Sequence, residues 1–189
     1  MDRRSFVGGA LWAALSPQLL AGRFPHPGRV VAIEDLTHDT KRFRFRLVDP
    51  KGFRFTPGQF LFLKVPDAFV AQWNQRYKTS HKEIARAYSF ASTSSRLPEF
   101  DLIIKLAAPP PGLDVPPGVA STFVFTALKN GDEVSFSAPT GTLHLRKDTG
   151  RPVIIVAGGT GAAPFLSLLE YWFENGFERN NQIYFFFGV

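Results

Sequence analysis

Between residues 28 and 145, apolar and polar positions alternate over short stretches that are separated by turn-forming residues. The clearest alternation covers residues 40–47, where apolar side chains take every second position and arginines lie between them. A period of two is typical of a β-strand with one buried and one solvated face. Short strands at this spacing predict an antiparallel Greek-key β-barrel. The stretches predicted as strands are residues 29–34, 40–47, 59–65, 86–91, 100–106, 133–138 and 142–145.

Three segments interrupt this alternation. Residues 67–85 are polar and basic and contain Trp73 and Tyr77, which predicts an inserted loop or a short helix. Residues 107–117 are rich in proline and predict an extended connector, because proline fixes φ and removes a backbone donor. Residues 118–129 carry apolar side chains at helical spacing and predict a helix.

The pattern changes near the C-terminal end of the chain. A continuous apolar run at residues 153–157 is followed by a glycine turn at 158–161. Apolar residues then recur at helical spacing over 165–173, and a second apolar run covers 183–187. Strand, turn, helix and strand predict a βαβ unit, which is the start of an α/β Rossmann-like domain.

The two patterns divide the chain into domains. We predict a β-barrel over residues 27–148 and the first part of a nucleotide-binding domain over residues 151–189, with the boundary near 147–151. The apolar run at 183–187 is typical of a buried parallel strand, which needs a neighbour on each side. We therefore expect the chain to be a fragment whose missing part completes the second domain.

Residues 1–24 are excluded from the predicted fold. Arg3 and Arg4 precede an apolar stretch at residues 6–15, which is similar to a twin-arginine export signal. The alternative is a short membrane-surface or unstructured lead, since Pro17 interrupts an apolar run that is too short to span a bilayer. We expect a membrane-associated or exported protein, with a cytoplasmic location as the alternative.

The composition narrows the possible redox chemistry. The 189 residues include no cysteine and four histidines, which are scattered along the chain. The cysteine count excludes disulfides, cysteine-ligated zinc, thiol catalysis and four-cysteine iron–sulfur clusters, and we predict no metal site. Any redox centre is therefore expected to be an organic cofactor.

The formal net charge is +6, and the basic residues are densest at residues 41–46 and 73–86. Nucleic acid is one possible partner for such a charge. However, the arginines of the first segment alternate with apolar residues, which predicts the solvated face of a strand. An acidic redox partner is the second interpretation, and we expect no nucleic-acid partner.

Four residues on a predicted barrel strand carry the clearest functional motif. Arg86, Ala87, Tyr88 and Ser89 resemble the Arg-x-Tyr-Ser flavin motif of the ferredoxin–NADP reductase superfamily. The resemblance implies that the tyrosine packs on the isoalloxazine ring of FAD, the arginine pairs with the diphosphate and the serine approaches flavin N5. The chemistry is suitable, because a guanidinium matches phosphate oxygens and an aromatic ring packs well on a flat flavin. Tyr88 and Ser89 are accordingly the predicted catalytic residues.

A second motif lies at the start of the helix predicted after the proline-rich connector. Gly118, Val119, Ala120 and Ser121 resemble the superfamily's glycine turn, whose backbone N–H groups bind the FAD pyrophosphate. A helix N-terminus with small residues favours an anion. The alternative is an ordinary helix cap made by Ser121.

A third motif follows the first strand of the predicted βαβ unit. Gly158, Gly159, Thr160 and Gly161 resemble the superfamily's Gly-Gly-x-Gly-x-x-Pro turn. The resemblance implies that the pyrophosphate of the nicotinamide nucleotide approaches this backbone and that the turn also faces the flavin. Glycine permits a close approach, and the helix dipole favours phosphate.

Weaker matches support the same family. Residues 55–60, 131–134 and 138–141 resemble barrel turns of the superfamily. The resemblance also implies that Lys105 and Ala107 lie on a strand beside the flavin, as cofactor-binding residues.

The resemblance covers residues 27–189 and is nearest to the flavin subunit of the sodium-translocating NADH:quinone reductase. The insertion before Arg86 and the segments 107–112 and 115–118 look like that branch. That subunit carries a ferredoxin-like cluster domain, whereas this chain has no cysteine, so we do not expect sodium pumping or direct transfer from a cluster. The family's C-terminal nicotinamide segment and terminal flavin-stacking aromatic would lie beyond Val189.

The resemblance implies a flavin-dependent oxidoreductase module that uses FAD to pass electrons between NADH or NADPH and an acceptor. The acceptor would be a quinone, a ferredoxin-like protein or another redox protein, with possible membrane association through residues 1–24. Two alternatives are an FAD-binding module without turnover of its own and a membrane-tethered structural subunit that has lost the flavin.

Overall fold

The computed structural model describes residues 23–144, 151–176 and 182–188. Strands of the first part are β1 (His26–Thr37), β2 (Thr40–Leu47), β3 (Phe60–Lys64), β4 (Ala85–Ser89), β5 (Glu99–Lys105) and β6 (Glu133–Phe136). Its helices are α1 (Asp67–Tyr77), a short 3-10 helix (Ser94–Arg96) and α2 (Val119–Thr126). The second part contains β7 (Val153–Gly158), a 3-10 helix (Gly159–Ala162), α3 (Ala163–Glu174) and β8 (Ile183–Gly188).

The first six strands form one antiparallel sheet in the order β4-β3-β6-β1-β2-β5. The segment that follows the edge strand β4 also meets the other edge strand, β5. Phe90, just after β4, forms an antiparallel bridge with Leu102 of β5. The backbone N–H of Ala91 donates to the carbonyl of Asp101 at 2.8 Å. The sheet is thereby curled towards closure, and the predicted antiparallel barrel is confirmed.

Phenylalanine rings fill the interior of this sheet. Phe43 and Phe45 of β2 are fully buried, as the period of two predicts. The Phe45 ring stacks on Phe100 at 5.7 Å and meets the Phe136 ring edge-on at 5.0 Å. Burial of each such ring contributes roughly 1.5–3 kcal/mol, so this aromatic cluster is a major stabilising element of the barrel.

The arginines of β2 lie on the opposite face and pair with carboxylates of the neighbouring strands. Their cross-strand positions on β1 and β5 bring each guanidinium within hydrogen-bond reach of an acidic side chain. The predicted solvated face is therefore confirmed, and its positive charge is balanced locally. The three pairs are Arg42 with Glu34, Arg44 with Asp101 and Arg46 with Glu99.

The insertion between β3 and β4 contains a helix, the second of the two structures that its sequence allowed. Helix α1 ends at Lys78, whose φ of 52° lies in the left-handed region. The Phe69 ring of α1 meets the Phe123 ring of α2 edge-on, with 5.2 Å between centroids. The two helices consequently pack on each other beside the barrel.

Strands β7 and β8 pair in parallel, which confirms the predicted βαβ unit and its Rossmann-like start. One face of this two-stranded sheet is exposed in the described residues, so the further strands expected beside residues 183–187 stay a prediction. Ile154 and Val156 are 66% and 73% exposed, whereas Ile155 between them is buried. The reason is that neighbours cover only one face of this two-stranded sheet.

The strand predicted at residues 142–145 is not observed in the described residues, and Leu145 lies outside them. Thr140 forms a single bridge with Phe60, after which Gly141 takes a φ of +112° that turns the chain out of the extended conformation. Leu143 is consequently 41% exposed instead of facing the core.

The predicted leader, residues 1–24, lies almost wholly outside the described residues. Its last two residues pack on the barrel, since Phe24 is buried and Arg23 Nη1 lies 3.3 Å from Glu83 Oε1. None of the helices that the structure describes is both long enough and apolar enough to cross a membrane.

Candidate functional site

Strand β4 brings a cation and an aromatic ring to the edge of the barrel. Arg86 pairs across the sheet with Leu63, and Tyr88 pairs with Leu61. Cross-strand neighbours share a face of the sheet, and both leucines are fully buried. Arg86 and Tyr88 therefore project from the core-facing side of an edge strand, as the alternation predicts.

The Arg86 guanidinium differs from those of β2 because no carboxylate accompanies it. Among the described residues, Arg86 forms no ion pair, and its Nη1 donates to the carbonyl of Ala85 at 3.0 Å. Its side chain is exposed. An unpaired guanidinium is a suitable ligand for the paired oxygens of a phosphate.

Tyr88 is half-buried and packs against the core of the barrel. Burial raises the pKa of its hydroxyl to about 12, and the nearby positive charge of Arg86 opposes this rise. Tyr88 is thus neutral at physiological pH. The neighbouring Ser89 is also half-buried, and its hydroxyl has no hydrogen-bond partner within the part of the chain that the structure describes. Ala87 is exposed on the other face of β4.

The N-terminus of α2 presents backbone N–H groups. Gly118 precedes the helix, and the first intrahelical bond runs from Thr122 N to the Gly118 carbonyl at 2.9 Å. The N–H groups of Val119, Ala120 and Ser121 come before that bond and have no intrahelical acceptor. This arrangement is suited to binding an anion.

The hydroxyl of Ser121 has a different task from capping these N–H groups. It donates to the Gly118 carbonyl at 2.9 Å and accepts from Ala107 N at 3.1 Å. Ala107 in turn accepts from Gly118 N at 2.8 Å. The sequence prediction that places Ala107 on a strand is wrong, because β5 ends at Lys105 and the Ala107 backbone bonds to the start of α2 instead.

Lys105 lies at the end of β5, and its ammonium group forms a salt bridge with another side chain. Its Nζ lies 3.1 Å from Asp39 Oδ2, and this contact is the largest cause that lowers the pKa of Asp39 to about 2. Its proposed contact with the flavin stays a prediction, and the salt bridge would have to be shared or broken to make it.

The glycine turn after β7 is open. Gly158 ends the strand, and Gly159 has a φ of +51°, which favours glycine. A Cβ at Gly159 or Gly161 would meet no atom of the described part of the chain within 4 Å. The carbonyl of Thr160 accepts from Ala163 N at the start of α3. The turn also contacts β5, so it lies beside the barrel.

The structure therefore brings the predicted residues together in three groups, on β4, at the start of α2 and after β7. Sequence reasoning missed a fourth group, in which α3 bonds to the turn after β4. Thr93 N donates to Glu170 Oε2 at 2.7 Å. The residues are 77 positions apart, and neither belongs to a recognisable motif, so no sequence signal pointed to this contact.

A family model described as the oxidoreductase FAD-binding domain matches residues 27–145. The match covers more than half of the chain and includes β4 and the start of α2. The chain belongs to this family. FAD is thus its cofactor, and the motif-based assignment to the ferredoxin–NADP reductase superfamily is confirmed.

Relatives of this FAD-binding chain include reductases of oxygenase systems. The ferredoxin–NAD(P)+ reductase component of naphthalene 1,2-dioxygenase/salicylate 5-hydroxylase systems from a Ralstonia species is 33% identical over 87% of this chain and 43% of its own length. The Na+-translocating NADH-quinone reductase of Serratia proteamaculans has a subunit that is 32% identical over 67% of this chain and 35% of its own length. The chain thus spans less than half the length of these relatives.

Solved structures agree with the fold. The ferredoxin NADP+ reductase from Neisseria gonorrhoeae, solved with bound FAD and NADP, has a TM-score of 0.63 at 22% identity. The match covers 86% of this chain and 56% of the other. At this identity the likeness shows the fold alone.

The described residues fit FAD chemically. Within the described ranges, Arg86 has no carboxylate partner and the Ser89 hydroxyl has no hydrogen-bond partner. The start of α2 is shaped around Gly118, since a Cβ there would lie 2.8 Å from the Cβ of Ala107. Together these residues provide positive charge and N–H donors for a diphosphate. They also provide an aromatic ring and a hydroxyl group for contact with a flavin.

Proposed function

We propose that this chain is the flavin-binding part of a reductase that passes electrons from NADH or NADPH to a redox protein. When bound, FAD supplies the hydride acceptor and the one-electron chemistry, and the protein supplies binding, orientation and electrostatics. The observation that carries the proposal is Arg86, which has no ion pair among the described residues and lies beside the half-buried Tyr88 on an edge strand of the family's FAD-binding barrel.

Two elements would hold the diphosphate. The Arg86 guanidinium would donate to its oxygens, and the N–H groups of residues 119–121 would meet it at the positive end of α2. The internal bonds of Ser121 support this role, because they keep the helix start and Ala107 in place while leaving the backbone donors available.

Tyr88 and Ser89 would contact the reactive ring. The aromatic ring of Tyr88 would wall one face of the flavin, and a phenol with a raised pKa stays neutral there. The Ser89 hydroxyl would hydrogen-bond near N5, the atom that receives the hydride. No acid–base residue is required, because hydride transfer depends on the placement of donor and acceptor.

The glycine turn would receive the nicotinamide nucleotide. The open space at Gly159 and Gly161 allows a ligand to reach bare backbone, and α3 begins directly afterwards. The Ralstonia relative, a ferredoxin–NAD(P)+ reductase component, supports a redox protein as the acceptor. This acceptor would be a ferredoxin-like protein or an oxygenase component.

The test is anaerobic addition of NADH, and separately of NADPH, to the FAD-loaded chain while the flavin absorbance is followed. Bleaching of the flavin by either nucleotide supports the reductase. Bound FAD that neither nucleotide bleaches would instead identify a flavin-binding module without turnover of its own. Failure to bind FAD at all would favour a structural subunit.

A further inference from the structure

Helix α3 forms hydrogen bonds with the turn that follows β4. We call β4, which carries Arg86 and Tyr88, the flavin strand. Thr93 N donates to Glu170 Oε2 at 2.7 Å, and the Thr93 hydroxyl donates to Glu174 Oε2 at 3.0 Å. The Ser95 hydroxyl donates to the Glu174 carboxylate at 2.9 Å. We call the barrel and the βαβ unit the two lobes, and the residues that bond between them the interlobe network. The network consists of Ser92, Thr93, Ser95 and Arg96 on the barrel and Ser167, Glu170 and Glu174 on α3.

The centre of this network is buried. Thr93 and Ser167 are fully buried, and Ser92 is nearly so. The Ser167 hydroxyl donates to the Ser92 carbonyl at 2.6 Å. A buried polar group that lacks a hydrogen-bond partner raises the free energy of the folded state. Each of these bonds therefore opposes separation of α3 from the turn.

The turn is equally well fastened to the barrel. Asp101 N donates to the Ser92 hydroxyl at 3.0 Å. The Asp101 carboxylate, which is only 3% exposed, accepts two bonds from Arg44 at 2.8 and 3.1 Å. Arg96 lies 3.7 Å from Asp101 and also pairs with Glu170. A charged path thus connects the barrel strands β2 and β5 to α3.

The network lies between the two places that the proposed reaction must align. Ser89, the residue proposed to meet flavin N5, is three positions before Ser92 on the same chain segment. At its other end, α3 begins immediately after the glycine turn proposed to receive the nucleotide. The orientation of α3 on the turn therefore sets the position of the glycine turn relative to β4.

We propose that Glu170 and Glu174 are positioning residues that fix the separation between the glycine turn and the flavin strand, and so align the hydride donor with its acceptor. The inference rests on the proposed reductase function for its catalytic consequence. Its geometric part concerns only the chain itself. Hydride transfer is sensitive to this alignment, because a misplacement of about 1 Å costs on the order of 100-fold in rate.

The geometric part can be measured without cofactor, because the chain contains no cysteine. Lys51→Cys on the barrel and Val156→Cys on β7 place one spin label on each lobe at exposed positions. The double variant Glu170→Ala/Glu174→Ala is expected to broaden the interlobe distance distribution, because it removes the carboxylates that bond to Thr93, Ser95 and Arg96. The matched control is Glu34→Ala, which also removes a carboxylate partner of an arginine but lies on β1. An unchanged distribution in the double variant, or equal broadening in the control, would overturn the proposal.

The catalytic part uses rapid mixing of the FAD-loaded full chain with NADH or NADPH. The double variant is expected to bind FAD normally and to reduce it about 10- to 100-fold more slowly at saturating nucleotide. Glu174→Gln, which keeps an acceptor oxygen for Thr93 and Ser95, should restore most of the rate relative to Glu174→Ala. An unchanged reduction rate in a variant with a broadened distribution would overturn the positioning role. A wild-type flavin that neither nucleotide reduces would refute the proposed function and leave the distance result to decide the geometric part.

Discussion

Arg86 and Tyr88 lie two residues apart on the same face of β4, and the charge of the first opposes the burial that raises the pKa of the second to about 12. The pair combines an exposed cation with a half-buried aromatic ring at the edge of the barrel. The arginines on β2, by contrast, form salt bridges with carboxylates of neighbouring strands. The cation on β4 is therefore available for a ligand.

Replacement of Arg86 by alanine should weaken FAD binding by about 2–4 kcal/mol, or roughly 30- to 1,000-fold, because a charge-assisted contact to phosphate is lost. The dissociation constant of FAD from the reconstituted chain is the quantity to measure. Arg46→Ala is the matched control, since that arginine is paired with Glu99 on the opposite face. Equal losses in the two variants would show that the effect comes from net charge alone.

Tyr88 should make the apo-protein less stable at alkaline pH. Its pKa is about 12 in the folded chain against 10.0 as an ordinary tyrosine, so the folded state holds the proton more tightly. The resulting stability is complete below pH 10 and is lost as the pH rises to 12, and it amounts to about 2–3 kcal/mol. Chemical unfolding across this range measures it.

Tyr88→Phe should flatten that part of the pH profile while keeping the aromatic wall, because no described residue hydrogen-bonds to the Tyr88 hydroxyl. FAD affinity should change little in this variant and fall clearly in Tyr88→Ala. A phenylalanine variant with the same alkaline loss of stability would assign the loss to other groups.

Gly118→Ala should destabilise the start of α2 and weaken FAD binding. The new Cβ would lie 2.8 Å from the Ala107 Cβ and 2.9 Å from Ser121 Oγ, and such overpacking costs about 1–3 kcal/mol. The second substitution Ala107→Gly removes the nearer of these contacts and should recover part of both losses. Thermal unfolding and FAD titration of the single and double variants test this, and a single variant that matches the wild type in both would contradict it.

Gly161→Ala should separate nucleotide binding from folding. A Cβ there meets no protein atom within 4 Å, so thermal stability and FAD affinity should be unchanged. The methyl group would occupy space proposed for the nucleotide pyrophosphate, which should weaken NADH or NADPH binding about tenfold, or about 1.4 kcal/mol. Unchanged nucleotide affinity would place the nucleotide elsewhere.

Local patterns predicted much of this fold because the relevant forces act between near neighbours in sequence. The bounds of β2 at Thr40–Leu47 followed from its alternation, since burial of one face is a property of the strand itself. Strand β1 extends further than predicted, over His26–Thr37, because pairing with two strands from distant parts of the chain continues its ladder. The strand predicted around Leu143 is absent, since the positive φ of Gly141 takes the chain out of the extended conformation, which alternation does not reveal.

The features of the candidate site also fall into two kinds, those that a local motif predicts and those that depend on contacts between distant parts of the chain. Motif residues such as Arg86 and Gly118 could be named because backbone geometry and ligand chemistry restrict their identity. That Arg86 lacks a carboxylate partner among the described residues could not be predicted, since pairing depends on which strands become neighbours. The contacts of Glu170 and Glu174 with the turn after β4 join residues more than 70 positions apart, and only the docked fold creates them.

An absorbance spectrum of the purified chain, followed by acid release and identification of any chromophore, decides whether the barrel binds FAD. We expect flavin bands and the release of FAD, or uptake of added FAD at about one per chain. A colourless chain that also fails to take up added FAD would contradict this expectation, because the residues on β4 and at the start of α2 would then be scaffold and not a binding site.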